Sequence, residues 1–196
     1  MARLARITYD GIIYHAVQRG NNKQNIFSDN NDYIVFKNII KKYKNKYLFE
    51  LYNYCLMPNH IHLLIKFLRK EEIAKFFQGL FQSFQFHHRR KYDYVGMLYQ
   101  NRYKSIPVEK DSYLLECARY IERNPLRAGI VDLLHDYKWS SYNFYALGQS
   151  DPVVTPNPLY MELAGLPQKR EKLYIEYLTK ERPYEMLLEK KIEVLR

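Results

Sequence analysis

Two histidines separated by one residue, His60-Ile61-His62, are the sharpest chemical feature of the chain. On a β-strand, residues i and i+2 point to the same face, so both imidazoles project together while Ile61 is anchored on the other side. Paired imidazoles can ligate one divalent cation. Two half-exposed histidines on a sheet are the plainer reading, and the pair alone leaves both open. A histidine-triad hydrolase needs a third histidine where Leu64 stands, and a zincin helix needs His-Glu-x-x-His, which the sequence lacks. The second feature is a helix expected from Asp111 to Asn124. At about 100° per residue, Leu114, Cys117, Ala118 and Ile121 form an apolar stripe, with Glu116, Tyr120 and Asn124 along its flank. Tyr120 and Asn124 are i, i+4 neighbours whose side chains meet on the helix surface. A phenol beside an amide at the rim of a buried face can line a site. Equally, the tyrosine can snorkel and the asparagine can cap the helix before Pro125.

The elements that must carry these residues follow from periodicity. Ile12 to Arg19 alternates as a strand, with Ile13, His15 and Val17 on one face, and Gly20-Asn21-Asn22 breaks it. Ser28-Asp29-Asn30 offers N-cap oxygens for a helix over 31–46, whose apolar face is Ile34, Val35, Ile39 and Ile40. Its lysines, among them Lys37 and Lys44, read as a solvated face or a phosphate track. Leu48–Met57 and His60–Phe67 read as an antiparallel hairpin broken at Pro58-Asn59. A helix is expected over 71–91 with Phe76, Phe77, Leu80, Phe81 and Phe84 buried. Met97–Val108 is expected as a fourth strand, and Pro125 as the end of the helix from Asp111. Beyond Gly148, a proline-rich loop leads to three short helices over 159–165, 168–180 and 183–195. This order predicts an α+β fold with helices packed on one face of the sheet.

Composition bounds the function. The chain has 196 residues and 47% apolar residues, enough for a core. It has no apolar run of the ~18 residues a membrane span needs, and its basic N-terminus has no apolar stretch behind it, so a protein of the cell interior is expected. Cys55 and Cys117 cannot build a disulfide scaffold; they lie in apolar patterns and read as buried thiols. The net charge is +10, from 31 basic and 21 acidic residues. Residues 151–196 hold eight of each sign, so the whole excess lies in residues 1–150. A basic body with a balanced tail points to a polyanion, most often nucleic acid. The 20 tyrosines fit a composition bias as well as they fit base stacking.

Several segments together resemble the single-tyrosine HUH transposases of insertion-sequence type, and in particular their REP-associated branch. They are His15 to Gly20, Cys55-Leu56-Met57-Pro58-Asn59-His60-Ile61-His62, Gln100-Asn101-Arg102-Tyr103, Arg119-Tyr120-Ile121-Glu122-Arg123-Asn124-Pro125 with Ala128-Gly129, and Trp139-Ser140-Ser141-Tyr142. The resemblance implies a ferredoxin-like palm with a central antiparallel sheet in residues 1–147 and leaves 148–196 as a helical extension of unassigned role. It makes Tyr120 the catalytic tyrosine and His60, His62 and Asn124 the metal ligands; Asn124 stands where many insertion-sequence relatives have Gln. The implied cofactor is Mg²⁺ or Mn²⁺, although imidazoles also accept Zn²⁺ or Ni²⁺.

The implied activity is cleavage and transfer of single-stranded DNA beside a hairpin through a 5′-phosphotyrosine. Arg19, Arg89, Arg90, Lys91, Arg102, Lys104, Arg119, Arg123 and Arg127 are the candidate DNA contacts. Tyr103 and Phe27 are candidates for base stacking or for packing, and His15 for a place near the site or a structural role. His87, His88 and His135 are expected at the surface. The competing readings are a hairpin-binding protein that no longer cuts and another HUH nuclease, such as a replication initiator. Both a monomer and a homodimer, the latter pairing across a strand edge near 60–67, are compatible with the resemblance.

Overall fold

The computed structural model describes residues 7–109 and 111–180. In chain order the elements are β1 (Ile13–Arg19), α1 (Asn30–Lys44), β2 (Phe49–Met57), β3 (His60–Phe67), α2 (Lys70–Tyr92), β4 (Lys104–Pro107), α3 (Asp111–Arg127), α4 (Tyr142–Leu147), α5 (Pro158–Glu162) and α6 (Pro167–Thr179). The expected α+β class with a central antiparallel sheet is what the chain builds. The strands pair antiparallel in the order β2-β3-β1-β4. The expectation for β3 holds to the residue, and α1 starts where the capping residues placed it. Asp29 accepts from the Asp32 amide, and the Asp32 side chain accepts back from the Asp29 amide, a reciprocal capping box.

Strand parity divides the sheet into two faces. Tyr14, Ala16, Ile61, Leu63 and Ile65 point to the side covered by α1 and α2, where Phe36, Ile40, Phe76, Phe77, Leu80 and Phe84 complete the larger core. The opposite parity, including Leu64, Cys55 and Met57, meets Leu114, Cys117, Ala118 and Ile121 of α3. The expectation of helices on one face alone is corrected: α1 and α2 cover one face and α3 the other, because both parities of the central strands carry apolar residues. Cys55 and Cys117 are buried, as expected.

Three departures from the sequence reading have local causes. The fourth strand is only Lys104–Pro107; residues 97–103 form a loop tied to the end of β1 by the Gly20–Tyr99 bridge and by the bonds from Gln100 N to Arg19 O and from Asn21 N to Leu98 O. Helix α3 continues through Pro125 to Arg127. Pro125 has no N–H for the Ile121 carbonyl, and the Asn124 side-chain amide donates instead to the carbonyls of Tyr120 (2.7 Å) and Ile121 (3.3 Å). Finally, β3 is not at an edge: it is paired with β2 and β1 on its two sides. The outer edge of β2 is itself covered, because Leu56 N donates to Trp139 O, Ser141 N to Tyr54 O and Thr155 N to Leu51 O. The Trp139-Ser140-Ser141-Tyr142 segment is thus a sheet cover, and Trp139 stacks on Tyr33 of α1 at 4.5 Å.

The described part of the extension shares the main core. Val153, Val154, Tyr160, Tyr174 and Leu178 are buried in the cluster that contains α1 and α2. Two of the α1 lysines are tied to this region, Lys37 to Asp151 and Lys44 to Val153 O and Thr155 Oγ1. The helix expected over 183–195 lies outside the described residues. Among the described residues, no helix is long and apolar enough to cross a membrane.

Candidate functional site

The antiparallel register of β1 and β3 sets Arg19 opposite His60, Val17 opposite His62 and His15 opposite Leu64. Residues directly opposite in a ladder share a face, so Arg19, His60, His62 and His15 all project toward α3. There the rings converge. His15 and His62 are stacked with centroids 5.1 Å apart, and His60 and His62 lie edge to face at 4.9 Å. The Tyr120 ring meets His62 edge-on at 5.8 Å and His15 at 5.9 Å. The guanidinium of Arg127, two turns further along α3, lies 5.1 Å over the Tyr120 ring. Tyr120 and the histidine pair thus come together within one chain.

The hydrogen bonds fix which atoms point where. His62 Nδ1 is 2.9 Å from His15 Nε2, both buried. Burial pushes the His15 imidazole down to about 3, and His62 is driven well below its ordinary value by burial, then by His60, His15, Arg19 and Arg127. Both shifts favour the neutral form of the rings. One must donate and the other accept in this contact, and with His62 Nδ1–H as the donor the lone pair sits on His62 Nε2. That atom is buried and has no hydrogen-bond partner. His60 Nδ1 is likewise engaged, 2.7 Å from Asn59 Oδ1. Asn124 turns its amide nitrogen to the backbone, which leaves Oδ1 as the side chain's acceptor. Ring nitrogens held on one side by a second hydrogen bond, with an orphaned buried nitrogen on the other, are the arrangement of metal-ligating histidines. Among the described residues no group of three or more His, Cys, Asp or Glu side chains could hold a metal, so a divalent cation here would rest on the two histidines and the Asn124 amide oxygen.

Behind the site, α3 is pinned by a buried carboxylate. Glu122 accepts from Asn53 Nδ2 (2.8 Å), Tyr174 Oη (2.8 Å) and Ser141 Oγ. Burial raises its carboxyl to about 7 against the downward pull of those three bonds. Asn53 reaches it because β2 carries a bulge between Leu51 and Asn53, which sends Tyr52 and Asn53 to the same side.

Beside the histidines opens a cleft of about 310 Å³ between β1, β4 and the loop before it. Its cations are Arg19, Lys23, Arg102 and Lys104, and its amides are Gln18, Asn22, Gln100 and Asn101. Three of the expected DNA contacts, Arg19, Arg102 and Lys104, are thereby brought together. Others are not. Arg119 and Arg123 are corrected from surface to interior: they are buried, and Arg119 donates to the carbonyls of Tyr177 (3.1 Å) and Lys180, Arg123 to that of Leu178 (2.6 Å). The C-terminal turn of α6 leaves carbonyls without intrahelical partners, and these two guanidiniums cap it. Lys91 is committed to Asp29 and Asp32, and Arg89 donates to Gly96 O, while Arg90 is exposed at the end of α2.

His88 is buried against Tyr92 and Tyr94, not at the surface; His87 contacts Asp32, and His135 is half-exposed beside Asp136. Phe27 is core, and Tyr103 stacks on Phe77 at 4.0 Å. The sequence pattern underrated His15, whose strand parity was legible but whose partner strand was not. It also gave no signal for Glu122.

Comparison with known proteins bears on the family and the fold. Residues 8–124 match the family model described as Transposase IS200 like. A Haemophilus influenzae protein provisionally named a REP-associated tyrosine transposase is 31% identical over 124 residues, which span 57% of this chain and 70% of that protein. The fold is similar to that of a REP-associated tyrosine transposase solved bound to a REP hairpin, with a TM-score of 0.65 and 16% identity over 80% of this chain and 93% of that one. A provisionally named transposase from Deinococcus radiodurans aligns at a TM-score of 0.43 and 16% identity, over 69% and 98%. With the family model covering more than half of its length, the chain belongs to the IS200-like transposase family, as a tyrosine transposase of the REP-associated kind.

Proposed function

We propose that this transposase cleaves and rejoins single-stranded DNA beside a hairpin, with Tyr120 as the nucleophile. The observation that carries the reading is the meeting of the Tyr120 ring with the His62 and His15 rings in one chain, next to a cleft with four cations. The similar structure bound to a REP hairpin supports a hairpin as the DNA partner.

The chemistry balances as follows. The Tyr120 oxygen bonds to phosphorus and the P–O3′ bond breaks, giving a 5′-phosphotyrosine and a free 3′-hydroxyl. The phenolic proton leaves to solvent, and the departing 3′-oxygen takes one up. Attack of a 3′-hydroxyl on the phosphotyrosine reverses the step and joins strands without external energy. A phenol with an ordinary pKa near 10 is protonated at neutral pH. Arg127 over its ring is placed to favour the negative charge that grows on the oxygen. Arg19, Arg102 and Lys104 hold backbone phosphates in the cleft. His60, His62 and Asn124 would hold Mg²⁺ or Mn²⁺, which when bound polarises the scissile phosphate and offsets charge in the transition state. His15 Nε2 pairs with His62 Nδ1, and with Nδ1–H as the donor His62 Nε2 would be free to bind the cation.

The test is a denaturing gel. Protein, end-labelled single-stranded DNA carrying a REP-type hairpin with unpaired flanks, and Mn²⁺ are incubated and then dissolved in detergent. Label should migrate with the wild-type protein and be absent from Tyr120→Phe. Tight binding without any adduct on DNA from the protein's own repeat would replace the transferase with a hairpin-binding protein.

A further inference from the structure

The basic cleft does not end at β4. Gln18, Gln100, Asn101 and Arg102 also line a second groove, which runs between α2 and the 97–103 loop. Its floor is aromatic, made by Phe77, Phe81, Tyr99 and Tyr103. Phe77 and Tyr103 stack at 4.0 Å, and Phe81 and Tyr99 meet edge to face at 5.3 Å. Its wall on α2 is a ladder of glutamines, Gln78, Gln82 and Gln85, spaced to fall on one face. Among the described residues, no carboxylate lines either the groove or the cleft. Two lining residues carry unsatisfied polar atoms. Gln18, 4% exposed, donates its amide to Asn101 O at 2.9 Å but leaves Oε1 without a partner, and Tyr99, 6% exposed, has no partner for Oη. A buried polar atom without a hydrogen bond is costly, and a ligand that supplies one is favoured.

We propose that this groove is a second nucleic-acid subsite, which receives the unpaired bases of the strand whose phosphates lie in the basic cleft. Amides present donors and acceptors together and suit base edges, and Tyr103, the partly exposed ring of the floor, offers a face to a base while Phe77, Phe81 and Tyr99 support it from the core. A groove without carboxylates, continuous with a four-cation cleft, suits a polyanion, and the glutamine ladder suits bases rather than phosphates. The inference rests on the transferase reading for the identity of the strand.

The experiment uses the full-length protein and fluorescein-labelled single-stranded oligodeoxynucleotides of about four and about twelve nucleotides, lengths that bracket a single-fold footprint. Gln78 and Gln82 are exposed on α2, so a Gln78→Glu, Gln82→Glu double variant keeps the fold, which circular dichroism verifies. It should bind the twelve-mer at least about tenfold more weakly than wild type and the four-mer within about twofold. A charge-matched control, Gln149→Glu with Gln168→Glu at exposed positions away from the groove, should bind both as wild type does. Gln78→Ala with Gln82→Ala should give a smaller loss on the twelve-mer alone. Unchanged twelve-mer affinity in the glutamate variant overturns the subsite. So does an equal loss on both lengths, an equal loss in the control, or a wild type that binds the two lengths alike. The gel assay separates the two readings: a missing adduct with length-dependent binding intact removes the transferase and keeps the groove, and an intact adduct with no length dependence does the opposite.

Discussion

His15 shows how much a single side chain can decide. It reaches no solvent, and its Nε2 lies 2.9 Å from His62 Nδ1. Removing such a partner from a metal-ligating histidine lowers metal affinity roughly 10- to 100-fold. His15→Ala should therefore weaken Mn²⁺ binding by that factor in calorimetric titration, with the far-ultraviolet spectrum unchanged. Arg127 bears on the proposed nucleophile. Its guanidinium over the Tyr120 ring predicts that Arg127→Ala cuts the yield of the DNA adduct about tenfold or more, while DNA binding falls far less, because the cations in the cleft remain. Arg119 and Arg123, two residues of similar character on the same helix, should behave differently. Their substitution should cost stability, since each leaves α6 carbonyls uncapped.

At the scale of elements, the N-terminus of α1 is tied to the C-terminus of α2 through Asp32. Burial by itself would raise this carboxyl, but hydrogen bonds from Lys91, the Ser28 amide, Tyr92 and His87 outweigh it and hold it at about 2. A carboxyl depressed in the folded state stabilises it above its unfolded value near 3.8, and that stabilisation is lost as pH falls toward 2. Asp32→Asn should thus lose on the order of 2 kcal/mol at neutral pH and show a flatter acid limb in denaturant titrations at stepped pH. Gly20 controls the exit of β1. Its backbone is not left-handed (φ −64°), yet a Cβ there would collide with the Gln24 backbone carbonyl and press on Ile26. Gly20→Ala should cost about 1–3 kcal/mol in chemical unfolding, and because Arg19 precedes it, should weaken DNA binding as well.

For the molecule as a whole, the described residues 148–180 belong to the core that the sheet and α1–α2 build. Tyr145 donates to Tyr52 O at 2.6 Å and receives the Asn157 amide, Tyr174 completes the Glu122 cluster behind the site, and Leu178 is fully buried. A chain cut after residue 147 should not unfold as a shortened but intact domain. It should lose its cooperative thermal transition and expose apolar surface to dye, because Glu122 and Asn53 would lose two buried partners at once. A truncated chain with a sharp transition near that of the full protein would show instead that the extension is separable.

The sequence by itself determined the first three strands, the starts of the long helices and the two motifs that meet, because period-2 and period-3.6 patterns and capping residues act within a few positions of the chain. His60-Ile61-His62 could be placed on one strand face and Tyr120 beside Asn124 on one helix flank without knowing the fold. Only the tertiary structure decided that His15 joins them, that Arg119 and Arg123 turn inward, and that α3 runs through Pro125. Each of these depends on a partner remote in sequence, namely β3 for His15 and the end of α6 for the arginines, or on a side-chain hydrogen bond that replaces a missing backbone one. Local pattern fixes which face a residue takes; what stands opposite that face is set by strand order and helix docking.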